Sequence, residues 1–389
     1  MKATKVIKIG IVGLGAAAQA FLPSFDKHPM VQLVGVCDPN GAVNDQVQLL
    51  QGVSYYASLE AMLQGQAEMD AVYIATPTDL HVSHALQAMQ AGKHVLVEKP
   101  MANTLSDALK MVQVAKQTGT LLMVGHSHSY DRPILEMKKL IDSGDLGAVQ
   151  MVNTWCYTDW MYRPRREEEL DHRLGGGVTY RQGAHQFDII RYLCSGLARS
   201  VRAKTFNMDP QRSGIGAHSV FIDFEGGASA TAIYNGYAGF STMDMGFDIS
   251  EWGFEEPWGV RKWLQKPLNT MSATEELKAK RDRAKGAIPH QAPFQPFFGV
   301  TLVSCELGDI RQTPRGLLIC KRNSRQEMVL STELSPRDLV VQELYDSLSQ
   351  GLKPAHSGEW GAANLEICEV AIESSLQRKE ISLRHQVSL

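Results

Sequence analysis

Two side chains in this sequence are best placed to handle a hydroxyl and its proton: a lysine at the end of a strand and a histidine on a helix face. Lys99 stands in Glu98-Lys99-Pro100, at the end of the apolar run His94–Glu98. Proline pushes the residue before it to extended backbone, so Pro100 aims the Lys99 ammonium in a fixed direction. Strand C-terminal ends are where ligands bind in an open α/β sheet. His185 and Asp188 lie three residues apart in Gly183-Ala184-His185-Gln186-Phe187-Asp188, and on a helix they share a face. Histidine ordinarily titrates near neutrality, so it can take a proton from a substrate hydroxyl at physiological pH.

A second set of residues has the chemistry of a dinucleotide site. Gly13-Leu14-Gly15-Ala16-Ala17-Ala18 follows a strand pattern and opens a helix pattern. The first glycine permits the tight turn, and the second lets backbone approach a pyrophosphate. Ala18 allows close helix–strand packing. The pyrophosphate would lie on a helix N-terminus, where free N–H groups favour anions. Asp38 ends the second strand, 20 residues past Ala18, where a carboxylate can accept both ribose hydroxyls of adenosine. It would repel a 2′-phosphate, and no Arg or Lys follows in Pro39-Asn40-Gly41, so NAD is favoured over NADP.

Arginines form a third set. Arg163, Arg165 and Arg166 sit in Trp160–Arg166, and Arg181 lies four residues before His185. Arginine forks match carboxylates bidentately, which suits a carboxylated substrate. Arg165 and Arg166 also precede Glu167-Glu168-Glu169, where they could form surface pairs of little energetic weight.

The elements that must position these residues fall into two patterns. Val6–Val12, Gln32–Cys37, Ala71–Ala75, His94–Glu98 and Leu121–Gly125 read as short strands, with helical spacing at Asp79–Ala91 and Ser106–Thr118. Such alternation predicts a doubly wound parallel sheet of Rossmann type. Beyond residue 127 the pattern changes to a helix over Arg132–Ser143 and alternating runs at Val149–Tyr157, Ser219–Phe224, Ala228–Tyr234, Thr301–Ile310 and Leu317–Lys321. These suit an α+β domain with a large, mostly antiparallel open sheet, covered by a helix over Gly183–Cys194. Closing helices are expected near Arg337–Gln350 and Gly361–Gln377. The fold class is therefore α/β, with a nucleotide-binding domain over residues 1–127 and a substrate and oligomerisation domain over 128–389. The segment Glu251–Pro296, with Trp252, Trp258, Trp263 and the basic run Lys278–Lys285, reads either as a surface excursion or as a lid or subunit contact.

The chain has 389 residues, too many for one comfortable core. Its formal charge of −3 gives no reason to expect nucleic acid or an anionic membrane as partner. No long apolar run or cleavable signal is apparent, and the six cysteines show no C-x-x-C pairing, so reduced thiols, no metal site and a cytoplasmic location are expected.

Ala75-Thr76-Pro77-Thr78, then His81, then Ala91–Pro100 with its Glu-Lys-Pro tripeptide, resembles the glucose–fructose oxidoreductase, inositol dehydrogenase and rhizopine-catabolism family (Gfo/Idh/MocA). Gly175-Gly176-Gly177 followed by Gly183–Asp188 is similar to that family's second hallmark. The resemblance implies an NAD(P)-dependent dehydrogenase. It implies cofactor contacts from Gly13, Gly15, Ala16, Ala18, Asp38, Thr76, Pro77, His81, Glu98 and Lys99. Glu98 would touch the nicotinamide-side ribose, Lys99 both substrate hydroxyl and cofactor, and His185 would be the proton acceptor. Many sugar-oxidising members carry Asp four residues before the helix histidine; here that position is Arg181. Arg163, Arg181, His185 and Asp188 are the expected substrate contacts. Tyr162-Arg163-Pro164-Arg165, Arg181–Asp188, Pro296–Glu306 and Gly308–Gln312 look like the phthalate 4,5-cis-dihydrodiol dehydrogenase branch, implying a carboxylated cyclic cis-dihydrodiol as substrate. A sugar, inositol or other polyol dehydrogenase, a non-catalytic dinucleotide-binding regulator and an NAD-using hydrolase are the rival readings. By resemblance the chain is a homodimer or homotetramer.

Overall fold

A computed structural model describes residues 5–41, 44–48, 50–256, 272, 274–276, 278–280 and 292–389. By packing, the chain forms two compact units, Met1–His126 with Arg337–Ala362, and Ser127–Pro336 with Ala363–Leu389.

The first unit is built on six parallel strands: β1 (Ile7–Val12), β2 (Val31–Cys37), β3 (Ser54–Tyr56), β4 (Ala71–Ile74), β5 (His94–Val97) and β6 (Leu122–Val124). Their order, β3-β2-β1-β4-β5-β6, reverses direction between β1 and β4, the switch point where ligands bind in such sheets. Helices α1 (Ala16–Lys27), α2 (Asn44–Gln48), α3 (Leu59–Gly65), α4 (Thr78–Gln90) and α5 (Leu105–Thr118) connect the strands. β4 and the Val95–Val97 part of β5 are wholly buried, as expected of strands covered on both faces. Helix limits are written locally. The Ser58 and Thr104 hydroxyls accept the Ala61 and Asp107 N–H groups at the starts of α3 and α5, and Gly119 ends α5 in the left-handed region.

Two late helices, α9 (Pro336–Gln350) and α10 (Gly358–Gln377), alter the expected division. Residues 337–362, placed by sequence in the second domain, pack with the first unit. The Asp338 carboxylate accepts from Ser24 at 2.7 Å and pairs with Lys27 at 2.9 Å. Met123 of β6 bridges to Ser357, and the Val124 N–H donates to the His356 carbonyl. The division between the units then falls inside α10.

The second unit holds a nine-stranded sheet with the order β14-β13-β12-β11-β7-β10-β9-β8-β15. Its strands are β7 (Val149–Tyr157), β8 (Ala198–Phe206), β9 (Ala217–Phe224), β10 (Ser229–Asn235), β11 (Val300–Cys305), β12 (Gly308–Thr313), β13 (Gly316–Lys321), β14 (Ser324–Val329) and β15 (Ile381–Ser382). Only β7 and β10 run parallel; every other pair is antiparallel. Helices α6 (Arg132–Asp142), α7 (Gly177–Arg181) and α8 (Gly183–Leu193) belong to this unit, and α8 lies against β7 and β10. The run expected over Thr301–Ile310 is two strands, because a tight turn at Glu306-Leu307 pairs Cys305 with Gly308.

All six cysteines are free thiols, with Cys37, Cys156 and Cys368 buried. Among the described residues no helix is long and apolar enough to cross a membrane. Trp258 and Trp263 lie outside the described residues. Of the basic run, Lys280 pairs with Glu169 at 2.6 Å.

Candidate active site

On the first unit, the loop after β1 is shaped for close backbone approach. Gly13 has φ +86°, and a Cβ there would meet the Ala75 carbonyl oxygen and Thr76 Cγ2 at 3.0 Å each. Its N–H donates to the Cys37 carbonyl at 2.7 Å. Gly15 caps α1 without any side-chain hydrogen bond, and the space its Cβ would occupy is open. Ala16 begins the helix, whose first turn carries no acidic residue, and Ala18 is fully buried against the sheet. Helix N-terminal N–H groups beside an open cradle fit a dinucleotide pyrophosphate.

Asp38 completes this cradle. Its Oδ2 accepts the Leu14 N–H and its Oδ1 the Asn40 N–H, both at 2.8 Å, while the Tyr55 hydroxyl donates to its carbonyl at 2.9 Å. The loop therefore orients the carboxylate, and each oxygen keeps lone-pair capacity for a ribose hydroxyl.

The ends of β4 and β5 are tied together. Pro77 precedes α4 as its cap residue, and the Thr76 hydroxyl lies 3.2 Å from His84 Nδ1. His81, expected among the cofactor contacts, is 1% exposed and faces two backbone carbonyls, Thr76 at 2.8 Å and Pro100 at 2.9 Å. Its geometry is that of a strut between two loops. Glu98, at the end of β5, accepts the Tyr73 hydroxyl at 2.7 Å and the Lys99 N–H at 3.3 Å. Burial pushes the Glu98 carboxyl up, against the opposing pull of the Tyr73 hydrogen bond and the Lys99 charge. Tyr73 is itself buried from β4, against Phe21 and Phe25 of α1. Lys99 is half-buried and joins Pro100 through a cis peptide.

On the second unit, α8 is pinned before it presents anything. Gln186, fully buried, donates to the Thr154 hydroxyl of β7 at 3.1 Å and the Ile233 carbonyl of β10 at 3.0 Å. His218 of β9 donates from Nε2 to Gln186 Oε1 at 3.0 Å, leaving Nδ1 to accept from Thr179 at 3.1 Å. Burial drives the His218 pKa down to about 3, which holds this ring neutral. Gly183 admits that ring, because a Cβ there would lie 2.8 Å from His218 Cε1. The Asn364 amide of α10 closes the set by donating to the Ala184 carbonyl at 2.8 Å.

His185 and Asp188 are both buried on this fixed helix. One turn on, Arg191 is fully buried and donates to Gln386 at 3.0 Å. Burial lowers the Arg191 pKa to about 9, with Asp188 and Glu366 pulling the other way. Three aromatic groups gather nearby: His128, which sequence reasoning missed, lies 4.6 Å from the His185 ring, Phe298 of the Pro296–Glu306 run lies 5.0 Å from it, and Trp252, from the segment read as an excursion, lid or subunit contact, lies 5.5 Å from His128.

The arginines do not act alike. Arg163 donates to Asp159 at 2.6 Å; burial opposes its charge, but Asp159, Glu251 and Tyr234 more than offset that. Arg165 lies 4.1 Å over the Trp160 ring, and Arg166 approaches Glu169 at 3.9 Å. Those two are therefore engaged with their own loop. Arg181 ends α7, half-buried, just before α8 begins.

Comparisons with known proteins identify the family and the fold. Residues 7–126 match the family described as an oxidoreductase family with an NAD-binding Rossmann fold, and residues 134–249 match the GFO/IDH/MocA C-terminal domain. A 1-carboxy-3-chloro-3,4-dihydroxycyclohexa-1,5-diene dehydrogenase of Comamonas testosteroni is 36% identical over 94% of each chain. A scyllo-inositol 2-dehydrogenase (NADP(+)) of Bacillus subtilis is 29% identical over 51% of this chain and 54% of its own. Among solved structures, a protein of Bordetella bronchiseptica RB50 superposes with a TM-score of 0.89 at 34% identity, over 97% of this chain and 100% of the other.

Proposed function

The chain belongs to the Gfo/Idh/MocA family of NAD(P)-dependent oxidoreductases, and from that premise we propose that it oxidises a carboxylated cyclic cis-dihydrodiol with NAD. The observation that carries this reading is the similarity, over 94% of both chains, to a dehydrogenase whose substrate is a carboxylated ring diol. Arg181, in place of the carboxylate found in many sugar-oxidising relatives, supports it from within the chain.

The first unit's residues fit the cofactor. Gly13, Gly15 and Ala16 would hold the pyrophosphate, Asp38 the adenosine ribose, and Glu98 the nicotinamide-side ribose. Thr76 and Pro77 would line the same loop, with Ala18 and His81 supporting it from behind. The choice of NAD over NADP rests on Asp38, whose charge disfavours a 2′-phosphate. Bound NAD supplies the hydride acceptor.

The remaining work falls to the protein's own side chains. His185 accepts the proton of the substrate hydroxyl as its C–H bond breaks. The Lys99 ammonium stabilises the developing alkoxide, and Asp188, on the His185 face of α8, binds beside it. Arg181 pairs with the ring carboxylate, and Arg163, anchored on Asp159, borders the same group. Loss of hydride and proton from a ring diene-diol gives a ketone that tautomerises to an aromatic diol, so aromatisation drives the oxidation.

A homodimer or homotetramer accords with the exposed Met151 and Phe221 on the large sheet, and the free thiols suit the cytoplasm. The test is formation of reduced nicotinamide over a panel of carboxylated cis-dihydrodiols and neutral polyols, with NAD and NADP in parallel. Turnover of the carboxylated diols, lost in Lys99→Ala and His185→Ala, is the expected result. Turnover of neutral polyols alone would replace this reading with that of an inositol or sugar dehydrogenase.

A further inference from the structure

His128 and Asp131 stand beside His185 but belong to neither the cofactor loop nor the arginine set. His128 opens a single 3-10 turn, His128–Tyr130, and Asp131 follows it. Their side chains are 4% and 1% exposed, and His128 Nδ1 lies 3.2 Å from Asp131 Oδ2. An ionised carboxylate only accepts hydrogen bonds, so Nδ1 carries the proton and the tautomer of His128 is set. Asp131 also precedes α6, where a capping role would be the ordinary one. Its side chain makes no capping hydrogen bond to that helix.

The ring of His128 is a wall as well as a dipole. It stacks on Phe298 with centroids 4.3 Å apart, and meets the His185 ring at 4.6 Å with planes at 81°. Phe298 contacts His185 as well, at 60°. Among the described residues these two rings face His185, and of the two His128 is joined to a carboxylate. When His185 takes a proton it becomes a cation in a buried place, which costs free energy unless a nearby charge compensates.

We infer that the Asp131–His128 pair is a positioning element for His185. The His128 ring fixes the orientation of the His185 imidazole, and the Asp131 charge, acting through the hydrogen-bonded ring, stabilises the imidazolium that forms in the reaction. The inference rests on His185 being the proton acceptor. The substrate O–H bond breaks and an N–H bond forms on His185; no proton moves to His128 or Asp131. Ionisable groups on the elements packed against the pair are His185, Asp188, Arg191 and Tyr192 on α8, Arg132, Glu136, Lys138, Lys139 and Asp142 on α6, and Glu251 beside Trp252; Lys138 pairs with Asp142 and Lys139 with Glu136. Arg132 pairs with Glu136 at 3.6 Å.

Two readouts test this on the full-length protein. One is the titration of His185 followed by NMR of ¹⁵N-histidine-labelled protein. The other is the pH profile of turnover of a carboxylated cis-dihydrodiol with NAD. Removing a negative charge disfavours the imidazolium, so Asp131→Asn should move the His185 midpoint, and the rising limb of activity, to lower pH by about 0.5–1 unit with KM unchanged. His128→Phe keeps a ring beside Phe298 but cuts the link, and should give the same shift. Asp131→Glu should restore most of the original midpoint. A His185 midpoint that stays in place in folded Asp131→Asn and His128→Phe overturns the inference. Absence of turnover in the unaltered protein would overturn the substrate reading instead, and the NMR titration would still be readable.

Discussion

The His81 imidazole reaches the Pro100 carbonyl oxygen at 2.9 Å, and through its other nitrogen it reaches Thr76, so one buried ring joins the loops after β4 and β5. Only a doubly protonated ring donates to both carbonyls. Through this ring the position of Lys99 depends on a residue well away from it in sequence.

Replacing that ring should loosen both loops. His81→Leu leaves the buried Pro100 carbonyl and the half-buried Thr76 carbonyl without this partner, at a cost of about 1–3 kcal/mol for a fully buried group when unrelieved and less for the other. Expected outcomes are a lower Tm by several degrees and weaker NADH binding. An unchanged Tm together with unchanged NADH affinity would show that His81 holds nothing in place.

Tyr73→Phe removes one hydroxyl and nothing else. Glu98 then loses the hydrogen bond to its Oε1, and its carboxyl, already raised by burial, rises further. A carboxylate needed in ionised form would therefore fail at a higher pH than before, and NAD binding should weaken about fivefold to tenfold near neutrality. Isothermal titration across the acid range would check both; identical binding curves would remove Tyr73 from the site.

His218 makes stability sensitive to acid. Its folded pKa, about 3, lies below the ordinary value of 6.5, so protons bind the unfolded chain first. The stabilisation is fully present above the unfolded value and is lost as pH falls towards 3. By pH 5 the loss should be about 2 kcal/mol. Urea unfolding at neutral pH and at pH 5 measures it, and His218→Gln, which cannot titrate, should flatten the difference.

Arg181→Ala separates carboxylate recognition from chemistry. For a carboxylated diol its KM should rise about tenfold to a hundredfold, the worth of a charge-assisted pair, with kcat changed much less. Neutral polyols should be handled as before. An unchanged KM for the acid would mean that Arg181 does not clamp it.

How far the molecule is legible in its sequence depends on the range of each interaction. Strands buried on both faces, such as Ala71–Ile74, announce themselves as apolar runs, and Gly13, Gly15 and Asp38 carry their spacing along the chain. β8 escaped notice because Arg199, Arg202 and Lys204 alternate with its buried residues, and β14 because it is almost wholly exposed. The turn at Glu306-Leu307 is too short to break the apolar pattern around it. Within the site, Lys99, Glu98, His185 and Asp188 stood out by local motif. Tyr73, His128 and Phe298 did not, because their roles come from partners 25 or more positions away: Tyr73 with Glu98, and His128 with His185 and Phe298. The local signals for that cluster were His126-Ser127-His128 shortly after β6 and Asp131 three residues past His128.

The return of residues 337–362 to the first unit has a consequence for how the chain is made. On the ribosome, the six-stranded sheet emerges early, but the segment that covers Ser24, Met123 and Val124 is translated only after nearly all of the second unit. The nascent nucleotide-binding sheet must wait with that flank bare, so a fragment ending at His126 should be prone to aggregation and dependent on chaperones until the later helices arrive.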